Sequence, residues 1–236
     1  MNLKNKTILV TGASGGIGHA IANILLPEKS DLYLHVNKQA DLKSLKGKYT
    51  LLRADFRDIK QIEKLFKDLP PLDVVINAVG IEKTSDNPLD LKIWKEIFEI
   101  NLFPAVKIVD EAIKKMPNGG VLINIASIVG QQGITFISDS IAYPASKAAL
   151  IKLNEGITAM YGSKVRAITI SPGYVNTPMW DRFDQKIIDS ALSEVPRGEF
   201  IKPEEVAQLI LEVIKNESIS GVNLTIDGGL GLRKLH

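Results

Sequence analysis

TGASGGIG, residues 11–18, is the stretch of the sequence that decides the fold. It follows a short apolar run, Thr7–Thr11, and leads into a segment of helical character, His19–Leu26. Glycines at a strand-to-helix junction allow a sharp turn and a close approach to a pyrophosphate, whose charge is stabilised by amides at the helix N-terminus. No Gly-Lys-Ser/Thr follows, which excludes a nucleoside-triphosphate P-loop. The stretch therefore predicts a dinucleotide-binding turn, in preference to a glycine loop without a ligand.

Short runs rich in Val and Ile recur along the rest of the chain, separated by segments of helical period. Their residues do not alternate between polar and apolar, which indicates strands buried on both faces and is typical of a parallel sheet. Strand–helix alternation over the whole length predicts an α/β fold: a single doubly wound Rossmann-type domain, residues 1–236, with a seven-stranded parallel sheet. The predicted strands are Thr7–Thr11, Leu32–Val36, Tyr49–Arg53, Val74–Asn77, Val121–Ala126, Val165–Ile170 and Val222–Ile226.

Two of the predicted helices carry start signals. Asp58-Ile59-Lys60-Gln61 has the spacing of a capping box. Pro203-Glu204-Glu205 places proline in a first turn and acidic side chains near the positive end of the helix dipole.

Composition excludes several classes of protein. The 236 residues include no cysteine and only three histidines, so disulfides, thiolate nucleophiles and cysteine metal sites are absent. The formal net charge is +2 with both signs interspersed, which argues against nucleic-acid binding. No apolar run approaches the length of a membrane span or a signal peptide. We expect a cytoplasmic protein with no metal, nucleic-acid or membrane partner.

Further motifs follow the glycine stretch in a fixed order. Together they resemble the short-chain dehydrogenase/reductase family over essentially the whole chain, with equal likeness to beta-ketoacyl-carrier-protein reductases and to sugar or polyol dehydrogenases. The motifs are Asp55-Phe56, Asn77-Ala78-Val79-Gly80, Asn101, Ser127, Tyr143-Pro144-Ala145-Ser146-Lys147, Pro172-Gly173 with Val175 and Thr177, and Asp227-Gly228-Gly229.

The resemblance implies hydride transfer between a nicotinamide cofactor and an alcohol or carbonyl carbon. It implies that Tyr143 is the general acid/base, that Ser127 orients the substrate oxygen and that Asn101 belongs to a proton relay. Lys147 would bind the nicotinamide ribose and lower the pKa of Tyr143. The residues support part of this: Tyr143 and Lys147 are four apart and share a helix face, and Pro144 requires that Tyr143 stand at the helix start.

A free phenol titrates at about pH 10, too high for a base at neutral pH. A neighbouring ammonium and a positive nicotinamide ring both favour the phenolate, so we expect the pKa of Tyr143 to be lowered. Taken alone, Tyr143 is better interpreted as a partly buried packing tyrosine and Lys147 as part of a solvated helix face. The preceding Ser127 and the glycine stretch reverse that preference.

The predicted cofactor-binding residues are Gly12, Ser14, Gly16, Ile17, Gly18, Asn37, Lys38, Asp55, Phe56, Asn77, Ala78, Gly80, Tyr143, Lys147, Pro172, Gly173, Val175 and Thr177. A carboxylate about 20 residues beyond the glycine motif selects NAD. That count reaches Val36, and no acid is present there. Asn37 and Lys38 would accept a 2′-phosphate, so NADP is expected. NAD stays open, because Gly15 stands where many NADP-using relatives carry a basic residue.

The choice of catalytic serine depends on a loop. Counted back from Tyr143, the usual family interval reaches Gly130, which has no hydroxyl. Ser127 lies three residues further back, directly after a predicted strand, whereas Ser138 and Ser140 lie in an irregular stretch. Loop-closure entropy grows slowly with length, so we place the extra residues in that stretch and expect Ser127 to act with Tyr143.

The substrate is not determined by the sequence. Residues 179–200 are predicted to form a substrate loop and helix, and their mixed composition names no compound. Two alternatives remain: a non-catalytic redox sensor, and an epimerase or dehydratase on the same fold. The last predicted strand would be an exposed sheet edge in a monomer, so we expect a homo-oligomer. The family resemblance implies that this oligomer is a homotetramer.

Overall fold

A computed structural model describes residues 1–37, 42, 44–131 and 140–232. Seven strands form one sheet in the order β3-β2-β1-β4-β5-β6-β7, and every neighbouring pair is parallel. The strands are β1 (Thr7–Thr11), β2 (Asp31–Val36), β3 (Thr50–Arg53), β4 (Val74–Asn77), β5 (Gly120–Ile125), β6 (Val165–Pro172) and β7 (Asn223–Ile226).

Helices cover both faces of the sheet, so the predicted doubly wound fold is confirmed. Helices α1 and α7 supply one core cluster, and α2, α4 and α5 supply the other. The helices are α1 (Gly16–Leu25), α2 (Ile59–Asp68), α3 (Leu91–Asn101), α4 (Phe103–Lys115), α5 (Ala142–Tyr161), α6 (Gln185–Glu194) and α7 (Pro203–Lys215). In the described part of the chain, no helix has the length and apolar character that a membrane span requires.

The helix start signals act largely as expected. The Asp58 carboxylate accepts from the backbone N–H of Lys60 over 3.0 Å, and the Glu205 carboxylate accepts from that of Lys202 over 2.7 Å. The capping box at α2 is incomplete, because Gln61 Oε1 accepts from the backbone N–H of Asp55 instead of Asp58. The first turn of α2 is thereby tied to the segment that leaves β3.

The chain reverses its winding direction between β1 and β4. In doubly wound sheets, ligands bind in the crevice at the carboxyl ends of the strands beside such a switch point. Here Thr11 at the end of β1 lies opposite Asn77 at the end of β4. The glycine stretch and the Ala78–Gly80 turn therefore emerge side by side.

Candidate active site

Three predicted catalytic side chains meet at the carboxyl ends of β5 and β6. Tyr143 is the second residue of α5, and Lys147 follows one helical turn later. Ser127 follows β5 and caps a short 3-10 helix, where its hydroxyl accepts from the backbone N–H of Val129 over 3.4 Å. The same hydroxyl interacts with the phenol of Tyr143 and acts to lower its pKa. The structure thus places a serine hydroxyl and a phenol together in the lining of one cavity.

Lys147 lies below this pair and is buried. Its Nζ donates to the carbonyl oxygen of Ile125 over 2.9 Å and lies 5.6 Å from the centre of the Tyr143 ring. Burial lowers the pKa of Lys147 to about 8. The ammonium is therefore held near the phenol in the protein interior, with its charge only partly compensated by a carbonyl dipole.

The expected lowering of the pKa of Tyr143 is wrong for the protein chain alone. Burial raises that pKa well above its ordinary value, and the negative charge of Glu82 adds to the effect. The hydrogen bond from Ser127 and the positive charge of Arg182 oppose it without reversing it. Desolvation outweighs these contacts because it penalises the phenolate directly. Tyr143 is consequently protonated at neutral pH.

Asn101 ends α3 and is fully buried. Its Oδ1 accepts from the backbone N–H of Ile81 over 2.8 Å, and its Nδ2 donates to the Ile81 carbonyl oxygen and to Ser146 Oγ. Ser146 Oγ donates in turn to the carbonyl oxygen of Tyr143 over 2.7 Å. Both amide hydrogens are used within the protein, so the Asn101 side chain ties the turn after β4 to the first turn of α5.

Ser140, the alternative catalytic serine, has a different environment. It is buried, and its Oγ accepts from the backbone N–H of Tyr143 over 3.3 Å, as a helix cap does. Ser127 lines the cavity above Tyr143, whereas Ser140 is not among the lining residues. Ser138 lies outside the described residues. The geometry favours Ser127.

Three of the four glycines in the glycine stretch leave no room for a side chain. Gly12 has a φ of +70°, and a Cβ there would lie 2.7 Å from the carbonyl oxygen of Ala78. A Cβ on Gly18 would lie 2.2 Å from the carbonyl oxygen of Gly12. A Cβ on Gly16 would lie 2.5 Å from Thr177 Cγ2. The loop is consequently packed between the turn after β4 and the turn after β6.

The residues present fit a dinucleotide. Helix α1 begins at Gly16, and its N-cap Gly15 has no side chain to cap the first backbone N–H groups, which in a helix lack an intrahelical acceptor. Ser14 lies exposed on the loop in front of them. Four predicted residues beside this end, Ile17, Pro172, Gly173 and Thr177, line the cavity that holds Tyr143. Val175 lines it as well. The first turn of α1 and the Tyr143–Ser127 pair thus face one crevice.

Asn77, Ala78 and Gly80 shape the turn after β4. Asn77 is buried, and its Oδ1 accepts from Thr11 Oγ1 over 2.8 Å and from the backbone N–H of Val79 over 3.4 Å. Its amide is directed into the protein, so any effect on a cofactor passes through the turn. A Cβ on Gly80 would lie 3.1 Å from Lys147 Nζ, which keeps this position small.

Asp55 and Phe56, two of the predicted cofactor-binding residues, follow β3. The Asp55 carboxylate accepts from Arg57 through the backbone N–H, Nε and Nη2. Phe56 is buried and stacks on His35, with ring centroids 3.6 Å apart. His35 accepts at Nδ1 from the backbone N–H of Gly12 over 3.4 Å and contacts the Ala54 carbonyl oxygen through Nε2 over 3.1 Å. The His35–Phe56 pair therefore supports the glycine loop from below.

Val36, the position about 20 residues beyond the glycine motif, is not the residue that would face the cofactor ribose. Val36 is fully buried in the core, so its side chain cannot meet a ribose. Asn37 is exposed directly after β2 and is the residue that faces outward there. Lys38, the other predicted phosphate contact, lies outside the described residues. Among the described residues from Asp31 to Asn37, the only acidic residue is Asp31, which lies at the end of β2 away from Asn37.

A cavity of about 420 Å³ opens above Tyr143 and Ser127. The predicted substrate segment forms one wall of it, through Met179, Trp180, Phe183, Ile187, Ser190, Ala191 and Glu194. Aromatic rings stabilise this wall: Tyr174 packs edge-on against Trp180, with centroids 5.1 Å apart, and Trp180 lies 4.6 Å from Phe200. The chemistry at the floor is therefore enclosed by a largely aromatic and aliphatic surface.

Comparison with known proteins agrees with this geometry. A family model described as short chain dehydrogenase matches residues 6–187. The chain belongs to the short-chain dehydrogenase family. This membership makes it an oxidoreductase with a nicotinamide dinucleotide cofactor.

The relatives span the whole chain. It is 32% identical to 3-oxoacyl-(acyl-carrier-protein) reductase FabG of Thermotoga maritima, over 98% of this chain and 99% of the relative. It is 33% identical to the protein of the same name from Rickettsia felis, over 98% of both. A solved short-chain dehydrogenase/reductase from Serratia marcescens superposes with a TM-score of 0.88 at 25% identity, over 98% of this chain and 100% of that one.

Sequence reasoning missed several residues that shape this dehydrogenase site. His35 is a lone polar residue in an apolar predicted strand, and that position was the one sequence feature that could have indicated its role. Asn154 stands eleven residues after Tyr143 and thus on the same face of α5. Glu82 and Arg182, which form an ion pair beside the cavity, carried no signal, because their contact joins residues 100 positions apart.

Proposed function

We propose that the protein is an NADPH-dependent ketoreductase that converts a ketone to a secondary alcohol. One observation carries the proposal: Ser127 and Tyr143 line one cavity together with Ile17 of the glycine stretch, and Lys147 Nζ lies 5.6 Å from the centre of the Tyr143 ring. A redox sensor would need only the dinucleotide end. An epimerase or dehydratase would add a sizeable substrate region, and the chain matches reductases over their full length.

The reduced nicotinamide, when bound, supplies the hydride. Tyr143 then gives its proton to the developing alkoxide, and its raised pKa keeps that proton available at neutral pH. Ser127 holds the same oxygen by a hydrogen bond. General acid catalysis of this kind contributes about 10²–10⁴ in rate.

Lys147 holds positive charge beside the phenol and the expected position of the nicotinamide ribose. That charge favours the phenolate formed as Tyr143 gives up its proton. Asn101 fixes the positions of these groups through Ile81 and Ser146. We assign it a positioning role, since both of its amide hydrogens are used within the protein.

A 3-oxoacyl thioester is the first candidate substrate. Both FabG relatives carry the name 3-oxoacyl reductase, and the aliphatic and aromatic wall formed by Trp180, Phe183 and Ile187 favours an acyl chain over a polyol. Polyol recognition relies on many convergent hydrogen-bonding groups. Sugar ketones are therefore the second candidate class.

The test is NADPH and NADH oxidation with a panel of 3-oxoacyl thioesters, sugar ketones and simple ketones. We expect turnover with NADPH on the thioesters, and a Tyr143→Phe variant that binds NADPH normally but loses about 10²-fold or more of the rate. Cofactor binding without turnover on any compound would favour the redox sensor. Tyr143→Phe activity within about tenfold of the parent would exclude Tyr143 as the acid.

We also propose a homotetramer in the cytoplasm. Exposed apolar side chains on α4 and at the end of α5 support association: Phe103, Val106, Met160 and Tyr161. β7 is the last strand of the sheet and presents an edge that proteins usually cover. Light scattering at micromolar concentration tests this, and a monomeric mass would contradict it.

A further inference from the structure

A row of polar side chains crosses the sheet just below the candidate active site. Four adjacent strands each contribute one buried polar residue at the same level, in register: Thr11, Asn77, Asn124 and Thr169. Two positions earlier, each strand has an apolar residue of one core cluster: Leu9, Val75, Leu122 and Ala167. The polar row therefore lies at the upper boundary of that core, directly under the catalytic groups.

Asn154 of α5 joins this row. Asn124 Nδ2 donates to Asn154 Oδ1 over 2.7 Å, and Asn154 Nδ2 donates to Thr169 Oγ1 over 2.8 Å. Before them, Thr11 Oγ1 donates to Asn77 Oδ1 over 2.8 Å, and Asn77 Nδ2 donates to Asn124 Oδ1 over 3.0 Å. All four bonds run in one direction, so each polarises the next.

The row, with Asn154 included, contacts both halves of the candidate site. Thr11 directly precedes Gly12, the first glycine of the cofactor loop. Asn154 lies on the α5 face that carries Tyr143 and Lys147, because eleven residues advance a helix by about three turns. A continuous hydrogen-bonded chain thus connects the strand before the cofactor loop to the catalytic helix.

Directional bonds matter at this boundary. Apolar contacts between α5 and the sheet are non-directional. Hydrogen bonds require a narrow range of distance and angle. Asn154 makes two such bonds to two different strands and is itself buried, so it fixes the helix in both position and height.

We propose that Asn154 is a positioning residue for the reaction. Through the polar row it sets the distance of Tyr143 and Lys147 from a ligand on the glycine loop. This inference rests on the proposed function, in which Tyr143 is the general acid. A purely structural asparagine would affect stability alone, whereas a positioning residue affects turnover of the folded enzyme.

The test compares Asn154→Leu with Ile157→Ala. The first removes both bonds with little change in side-chain size, and the second removes buried packing one turn later on α5. Thermal unfolding of both variants identifies a temperature at which each is folded. There we expect kcat for ketone reduction to fall about ten- to hundredfold in Asn154→Leu, because small misplacements have effects of that size. We expect little change in KM, and a near-parental kcat in Ile157→Ala.

A second variant covers the case in which Asn154→Leu does not fold. Asn154→Ser keeps a hydroxyl that satisfies one neighbour, and we expect its kcat to lie between those of the parent and Asn154→Leu. A kcat equal to that of Ile157→Ala in the Asn154 variant that folds would overturn the positioning role. An active Tyr143→Phe would instead overturn the proposed function, so the two failures are distinguishable.

Discussion

Arg182 donates from Nη2 to the carboxylate of Glu82 over 2.7 Å and from Nη1 to the Glu82 carbonyl oxygen over 3.0 Å. The pair joins the segment after β4 to the segment before α6, beside the cavity that Glu82 lines. The two charges act on Tyr143 in opposite directions: Glu82 raises the pKa of the phenol and Arg182 lowers it. The ion pair therefore balances the electrostatic environment of the proposed acid.

Opposite pH shifts are expected when the two members of this pair are removed separately. In the proposed mechanism, alcohol oxidation requires the Tyr143 phenolate, so its rate is expected to rise with pH through the pKa of Tyr143. Glu82→Gln should move the midpoint of that rise to lower pH, and Arg182→Met should move it to higher pH. The pH dependence of kcat/KM for oxidation measures both. Lys114→Met, which breaks an exposed ion pair on α4, is the control and should leave the midpoint unchanged. Shifts in the same direction would contradict the assignment.

Substitution of Ser127 and substitution of Ser140 should have different effects, one on the rate and the other on stability. Ser127→Ala is expected to lose about a hundredfold or more in rate, the size typical of losing one oxyanion donor. Ser140→Ala should keep a near-parental kcat and lose about 1 kcal/mol of stability, because it removes a cap on the first turn of α5. Steady-state kinetics and urea unfolding of both variants separate the outcomes. The reverse ranking of rates would assign the role to Ser140.

The burial of His35 leads us to expect that the protein loses stability in acid. Burial lowers the pKa of His35 from 6.5 to about 4. The unfolded chain therefore takes up this proton at a higher pH than the folded chain, and the free energy of unfolding falls as the pH falls from about 6.5 to about 4. The loss from this group reaches about 3 kcal/mol.

Urea unfolding at pH 7 and pH 4.5 tests this for the parent and His35→Gln. Glutamine retains a donor and an acceptor for Ala54 and Gly12, without a titrating ring. The variant should show a distinctly smaller drop between the two pH values. An equal drop in both proteins would assign the acid sensitivity to other groups.

Cofactor preference should depend on Asn37. The unmodified protein is expected to bind NADPH more tightly than NADH, since no acid stands at the outward-facing end of β2. Asn37→Asp places a carboxylate there, which repels a 2′-phosphate and bonds a 2′-hydroxyl, and should reverse the preference. Dissociation constants of both cofactors measure the change. Val36→Ala, a core substitution in the adjacent residue, is the control. Tighter binding of NADH by the unmodified protein would contradict the expectation.

Much of this protein follows from its sequence. Continuous apolar runs such as Val74–Asn77 can be stable only when both faces are covered, so they predicted the buried parallel sheet and placed each strand to within two residues of its observed bounds. The glycine stretch predicted the tight turn after β1. Gly12 lies so close to Ala78 that a side chain at this position is excluded. The spacing of Tyr143 and Lys147 predicted their shared helix face. All of these are local properties of the chain.

Other features required the tertiary structure, because they depend on register, burial and contacts between distant residues. Only the register of four strands brings Thr11, Asn77, Asn124 and Thr169 into one row. Only burial shows that Val36 points into the core, and that desolvation raises the pKa of Tyr143 where neighbouring charges had predicted a lowering. Sequence determines which residues are available along the chain. The free energy of a charge or a hydrogen bond depends on its surroundings, and folding alone assembles those surroundings from distant segments.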